Sequence, residues 1–239
     1  MPNIQKTRAI VLHTMPYMES SLLCSVFSER FGKLKLIAKG ARRPKSKFCG
    51  ALEPFSHTEM IFYRKEHKEI YTLSDAVVIN DFKLLRDSPL KFTAGELLCE
   101  FVDKTQPIEE PVLELYNLLL YSLHQLIMLP AILVRPWALS VLFRLLKFTG
   151  IEPHLKDCVR CHKKIQVDDV YFSIASGGLV CDSHLDPSVI RLKKDHIRYL
   201  KDPKLEEFDQ KGFIILRDLF ESYISYHLHG IFLNALKFL

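Results

Sequence analysis

The chain contains no GxxxxGK(S/T) loop, no GxGxxG, no HExxH and no GxSxG. Those absences exclude a Walker-type nucleotidase, a dinucleotide-binding turn, a zincin protease and a nucleophile-elbow hydrolase. A zinc deaminase needs Pro before its first knuckle cysteine and an open metal position, whereas Asp157 stands there. The paired carboxylates Glu109–Glu110 and Glu206–Glu207 read as helix-start or surface charge. The expectation is a protein that binds and does not catalyse. There is no internal repeat and no low-complexity segment. The start, MPNIQKTRAIVLH, has no continuous apolar h-region and no cleavage site, so a cytoplasmic protein is expected. From Leu115 to Val134 no residue is charged, a length that reaches across a bilayer. Asn117, His124, Gln125 and Pro130 interrupt it, however, and suit a core helix ending at a turn, so no membrane is expected as a partner.

What is also missing, locally, is negative charge. Between Arg30 and Lys47 there are eight basic residues and no acidic one: Arg30, Lys33, Lys35, Lys39, Arg42, Arg43, Lys45 and Lys47. Residues 1–80 hold 13 Lys/Arg against 7 Asp/Glu, and residues 81–239 hold 20 against 21. The whole positive excess of the chain thus lies in its first third. Charge concentrated in this way suits a polyanion such as nucleic acid or an acidic membrane surface. The plainer reading is a solvated run that aids solubility, though such runs usually mix both signs. Lys33, Lys35 and Lys39 share one parity of a strand, and Leu34, Leu36 and Ala38 share the other. Side chains alternate across a strand, so three ammonium groups are expected on the solvent face. A turn with Gly40 and Pro44 then keeps Arg42, Arg43, Lys45 and Lys47 nearby.

At 239 residues, with 48% hydrophobic and 26% charged residues, the chain is an ordinary globular one of two-domain size. Arg8–His13, Ser21–Ser28, Lys33–Arg42, Ser56–Arg64 and Glu69–Val78 read as strands, rich in branched and aromatic residues and separated by turns. Five short strands in about 80 residues predict a small Greek-key barrel, of the OB or SH3-like kind. An OB barrel with a basic strand and turn is suited to oligonucleotides. After Asn80 the period becomes helical, over Leu90–Lys104, Glu110–Leu129 and Pro136–Thr149, with Pro136 in a first turn. Phe213, Leu216, Phe220, Tyr223, Ile224, His227, Leu228, Ile231 and Phe232 form the core stripe of a long final helix. The fold class is therefore α+β: a barrel domain over 1–80 and a helical domain over 81–239, with a non-helical insert over 154–187.

Six cysteines are present. Cys24, Cys49 and Cys99 stand singly among apolar or small residues and read as buried thiols. Cys158 and Cys161 form one knuckle, and Cys181 with His184 a second. Two such knuckles joined by a short hairpin assemble a structural zinc site, and four protein ligands close the tetrahedron. Gly177 and Gly178 allow the hairpin its turn. His154 and His162 compete with His184 for the fourth position.

From Thr7 to Phe55 the sequence TRAIVLHTMPYMESSLLCSVFSERFGKLKLIAKGARRPKSKFCGALEPF resembles the N-terminal signature of the RecO family of bacterial DNA repair proteins. LLKFTGIEP before Cys158 and Cys161, and GGLVC before His184, resemble its second half. The resemblance implies an N-terminal OB-fold, a helical domain and an inserted zinc finger. It implies a recombination mediator that binds single- and double-stranded DNA and anneals complementary strands. Its implied partners are RecR and the acidic C-terminal tail of the single-stranded-DNA-binding protein, with loading of RecA as the outcome. The chain departs from the four-cysteine finger in having His184 last, and His162 stands where a glycine often follows the knuckle. A competing function is a zinc-containing adaptor that binds proteins and not DNA.

Overall fold

The computed structural model describes residues 3–165, 169–201 and 210–239; Glu206 and Glu207 therefore lie outside the described residues. The chain divides into two compact units, residues 1–130 with 233–239, and residues 131–232.

The first unit is built on a closed five-stranded barrel in the order β1-β2-β3-β5-β4. Its strands are β1 (Asn3–Tyr17), β2 (Ser21–Ser28), β3 (Gly32–Ala38), β4 (His57–Arg64) and β5 (Ile70–Asn80). Closure depends on β1 being long enough to serve two neighbours. Its first half pairs with β4, its second half pairs with β2, and a register shift between Val11 and His13 turns the strand between them. The remaining seam is a short parallel pairing of Lys35–Ile37 with Ile70–Thr72. The expected alternation on β3 is present, with Leu34, Leu36 and Ala38 fully buried. They meet Val11, Cys24, Val26, Met60, Phe62 and Leu73 inside the barrel. Burial pushes the Cys24 thiol up to about 12, which makes it an inert core group. Cys99 is buried as expected, but Cys49 is exposed. Its neighbour Phe48 takes the core position instead, and Ala51 and Leu52 join it at the barrel's interior.

β3 ends at Ala38, four residues before the expected end, because Gly40 adopts a left-handed φ of +71°. Successive turns follow, with Arg43 N–H donating to Gly40 O, Ser46 N–H to Arg43 O and Cys49 N–H to Ser46 O. Three helices complete the unit: α1 (Lys83–Arg86), α2 (Pro89–Thr105) and α3 (Leu113–Met128). Of these, α2 packs on β1 and β2, and α3 reaches β4 through Tyr116, whose Oη meets His57. Gly95 of α2 leaves room for the Phe55 ring, which would lie 3.1 Å from a Cβ there. The secondary-structure type changes at residue 80, whereas packing carries the first unit on to residue 130. The final residues return to it, as Asn234 and Ala235 N–H groups donate to the Glu100 carboxylate.

In the second unit α4 (Ala131–Leu145) starts five residues earlier than expected and holds Pro136 inside it. The earlier start buries Val134, which offsets the single N–H bond that proline cannot make. A three-stranded sheet, β7-β6-β8, comprises β6 (Asp169–Ser173), β7 (Gly178–Val180) and β8 (Val189–Lys193). Helices α5 (Lys194–Lys201) and α6 (Gln210–His227) follow. Phe213, Leu216, Phe220, Tyr223 and Ile224 of α6 are buried as their spacing predicts. The helix ends at His227, so Leu228, Ile231 and Phe232 lie beyond it, in a turn where Gly230 takes a φ of +82°. Among the described residues, no helix is long and apolar enough to cross a membrane. The uncharged stretch divides at Leu129–Pro130 between α3 and α4.

Two tests follow from this packing. A Cβ on Gly32 would stand 2.1 Å from the main-chain oxygen of Glu110, in a left-handed conformation. Gly32→Ala is expected to cost at least about 2 kcal/mol in a chemical denaturation series, and an unchanged midpoint would contradict the contact. His57 is buried and hydrogen-bonded to Tyr116 Oη at 2.8 Å. Burial, then the charges of Arg8 and His124, lower its pKa. The unfolded chain therefore binds the extra proton first. This contribution is intact above about pH 6.5, is lost as the pH falls below that value, and levels off below the folded pKa. His57→Gln should flatten the stability profile below about pH 6.5 relative to the parent protein.

Candidate nucleic-acid interface and metal centre

The basic run does not form one continuous ribbon. The seven residues of β3 span about 20 Å and separate its two ends. At the first end the cations are occupied. Lys33 is only 9% exposed, and its Nζ donates to Asp103 O at 2.5 Å. Burial lowers its pKa, the Asp103 carboxylate works in the other direction, and Lys35 lowers it further. Lys33 is therefore a structural cation and not one on the solvent face. The sequence pattern missed this because Asp103 is 70 residues away. Arg30 is exposed, but its Nη1 donates to Lys6 O and its guanidinium lies over Phe31. Nearby Lys6 pairs with Glu59 at 2.6 Å, and Arg64 pairs with Glu109 at 3.0 Å. Glu109 also accepts from Tyr71 Oη, so this carboxylate is a brace between strands and not a helix start.

At the other end Lys39, Arg42, Arg43, Lys45 and Lys47 are all exposed. Arg42 Nη1 donates to Glu19 O, which ties this turn to the β1–β2 loop. None of the five forms an ion pair with another described residue. Lys35, half-buried on β3, lies between the two groups. Of the two flanking rings, Phe48 is a core residue at 4% exposure, with Lys47 Nζ over it. Phe31 packs edge-on against Phe62 at 5.6 Å. Sequence reasoning overlooked the groove beside these cations. It has a volume of about 490 Å³ and is lined by Tyr17, Met18, Ser20, Ile37, Lys39 and Arg43. Met18 is 76% exposed at a left-handed φ of +53°. The signal available was PYM where β1 runs into its turn, an aromatic and an apolar residue at a place where polar ones are usual. Apolar and aromatic surface flanked by unpaired cations offers a base-stacking floor and a phosphate-neutralising rim.

In the second unit the two knuckles come together. The turn Ser173–Gly178 between β6 and β7 folds the intervening segment back, and Gly177 takes the φ of +77° that the turn needs. Cys158 Sγ lies 3.7 Å from His184 Nδ1, Cys181 Sγ lies 3.2 Å from the same nitrogen, and Cys161 and Cys181 sulfurs are 3.7 Å apart. The four donor atoms all lie within 4.8 Å of one another. A tetrahedral zinc with thiolate and imidazole ligands needs about 3.8 Å between sulfurs and about 3.6 Å from sulfur to nitrogen. The donor set can hold a metal ion. Burial of Cys158 opposes its charge, but backbone N–H groups of Cys161, Cys181 and Arg160 bring its thiol down to about 6. At Cys161 the Lys163 N–H favours the thiolate, yet desolvation and the neighbouring sulfurs leave its pKa raised. The two alternative histidines do not join this cluster. His154 and His162 instead meet Asp157, at 2.7 and 3.4 Å from its Oδ1.

Two family models match the chain: one described as Recombination protein O N terminal over residues 1–82, the other as Recombination protein O C terminal over residues 86–237. A protein of Salinibacter ruber named DNA repair protein RecO is 33% identical over 177 residues, 74% of this chain and 67% of its own length. Proteins of the same name from Exiguobacterium sp. and Alkaliphilus metalliredigens are 28% and 26% identical. The first alignment covers 93% of this chain and 90% of the relative, and the second 97% of each. The chain belongs to the recombination protein O (RecO) family.

Proposed function

We propose that this chain serves DNA repair as a recombination mediator that binds DNA without catalysing a reaction. The observation that carries the reading is the unpaired rim of Lys39, Arg42, Arg43, Lys45 and Lys47 beside the Tyr17–Met18–Ile37 groove. The strand order 1-2-3-5-4 in a closed barrel agrees with an OB-fold, whose face and β1–β2 loop take oligonucleotides. On this reading the rim neutralises phosphates and Tyr17 stacks on a base. Both single- and double-stranded DNA bind through the backbone, with little sequence preference. Annealing follows from charge: two strands held on cationic surfaces lose the repulsion that slows their pairing. Action with RecR and the tail of the single-stranded-DNA-binding protein, ending in RecA loading, comes from membership of the family. Zinc would be held by Cys158, Cys161, Cys181 and His184 as a structural ion that fixes the two knuckles.

Two experiments test these assignments on the full chain. Replacing Arg43, Lys45 and Lys47 with Ala should reduce the salt dependence of single-stranded DNA binding by about 2 in slope. Lys33→Met should leave that slope unchanged while lowering stability. An unchanged slope in the triple variant moves the DNA site elsewhere, and absence of DNA binding by the parent protein at low salt favours a protein-binding adaptor. For the metal, the parent protein should keep about one tightly held zinc after dialysis, and Cys158→Ser should lose it while Cys49→Ser keeps it. Zinc-free, folded parent protein would remove the structural-zinc assignment.

A further inference from the structure

His154, Asp157 and His162 bracket the first knuckle, yet the thiolate cluster uses none of them. Both histidines are placed by main-chain bonds. His154 N–H donates to Gly177 O, and Leu179 N–H donates back to His154 O, which pins that histidine to β7. Asp157 directly precedes Cys158. His162 N–H donates to Cys158 O at 2.8 Å, so the knuckle turn itself carries the second imidazole. Both rings address one carboxylate oxygen, at 2.7 and 3.4 Å, and the three donor atoms lie within 4.8 Å of one another. Their rings are crossed, with an interplanar angle of 77°. A tetrahedral ion with nitrogen and oxygen ligands needs about 3.3 Å between donors, so a small opening of the His154–Asp157 contact admits one. His162 adopts a left-handed φ of +57°, a conformation that glycine takes without strain. Its side chain is 73% exposed, so neither core packing nor backbone geometry accounts for an imidazole there.

We infer that His154, Asp157 and His162 form a second metal site, separate from the thiolate cluster, for a borderline divalent cation of the Zn2+, Co2+ or Ni2+ class. Two imidazoles and one carboxylate suit such ions better than Mg2+ or Ca2+, which prefer oxygen. Three protein ligands leave a coordination position open, so this ion is exchangeable and takes water or another small oxygen ligand. It differs in that respect from the four-ligand cluster beside it.

The test is a Co2+ titration of the tag-free, metal-stripped full chain, followed by optical absorption, with equilibrium dialysis against Zn2+ as the count. The parent protein should bind about two equivalents. The first develops the thiolate-to-cobalt charge-transfer band, and the second adds no further thiolate absorption. His162→Gly suits the left-handed turn and so preserves the fold; it should reduce uptake to about one equivalent with the thiolate band intact. Asp157→Asn should do the same. A single equivalent that carries the thiolate band in the parent protein overturns the site, as does retention of two in either variant. Loss of the thiolate band in His162→Gly would show one shared site and also overturn it. Absence of the thiolate band in the parent protein, with one nitrogen-and-oxygen equivalent that His162→Gly abolishes, would reject the thiolate centre and support this one.

Discussion

The arrangement of the first unit depends on main chain meeting main chain at the start of β3. Gly32 lies where any side chain would strike the Glu110 carbonyl, and Glu109 N–H donates to Lys33 O in a short parallel bridge. The segment between α2 and α3 is thereby fastened along the barrel. Asp103 then receives two bonds from the barrel, Lys33 Nζ on its carbonyl and Ser25 Oγ on its carboxylate. Glu109 ties Tyr71 of β5 to Arg64 of β4. Backbone contacts of this kind cannot be repacked by rotamer changes, so they fix register more firmly than apolar surface does. The family models divide near residue 82 to 86, but physically the barrel and the three helices after it are one object.

That fastening also decides which cations remain available for a ligand. A lysine drawn into a buried hydrogen bond loses both its hydration and its reach, and Lys33 is such a group. The cations around it are engaged by Lys6 O, Glu59 and Glu109. Those past Gly40 are engaged only with main chain or with nothing charged, because the turns from residue 39 project them outward while Phe48 anchors the turns from within. Net charge alone would treat the two ends of β3 alike. Pairing separates them: the far end keeps an uncompensated field, and that field sits beside the apolar groove.

The local features of this fold were legible in the sequence, and the non-local ones were not. Alternation on β3 predicted which residues fill the barrel, and the 3.6-residue spacing predicted the buried face of α6. The paired knuckles predicted the clustering of Cys158, Cys161, Cys181 and His184. Lys33 escaped because its parity matched a solvent face while its partner came from α2. Phe48 and Cys49 show the same difficulty in a turn, where no period assigns sides; one became core and the other surface. Glu109 resembled a helix cap because it stood before a helix, yet it takes a φ of +62° and braces two strands. In each case the deciding partner lies tens of residues away, beyond what local propensity encodes.

The knuckle around Cys158 shows how one turn can serve two kinds of donor. Its N–H groups converge on sulfur, which stabilises thiolate before any ion arrives and favours soft coordination there. This turn closes with His162 N–H on Cys158 O, and the residue that ends it is left-handed. Glycine would end the turn and contribute nothing else. With histidine in that place, the same bend that aims main-chain donors at the sulfurs carries an imidazole round to Asp157. A single backbone geometry thus gathers two donor groups, Cys158, Cys161, Cys181 and His184 in one and His154, Asp157 and His162 in the other. An ion bound by the first cluster would also hold the second set of donors in position, because one turn carries both.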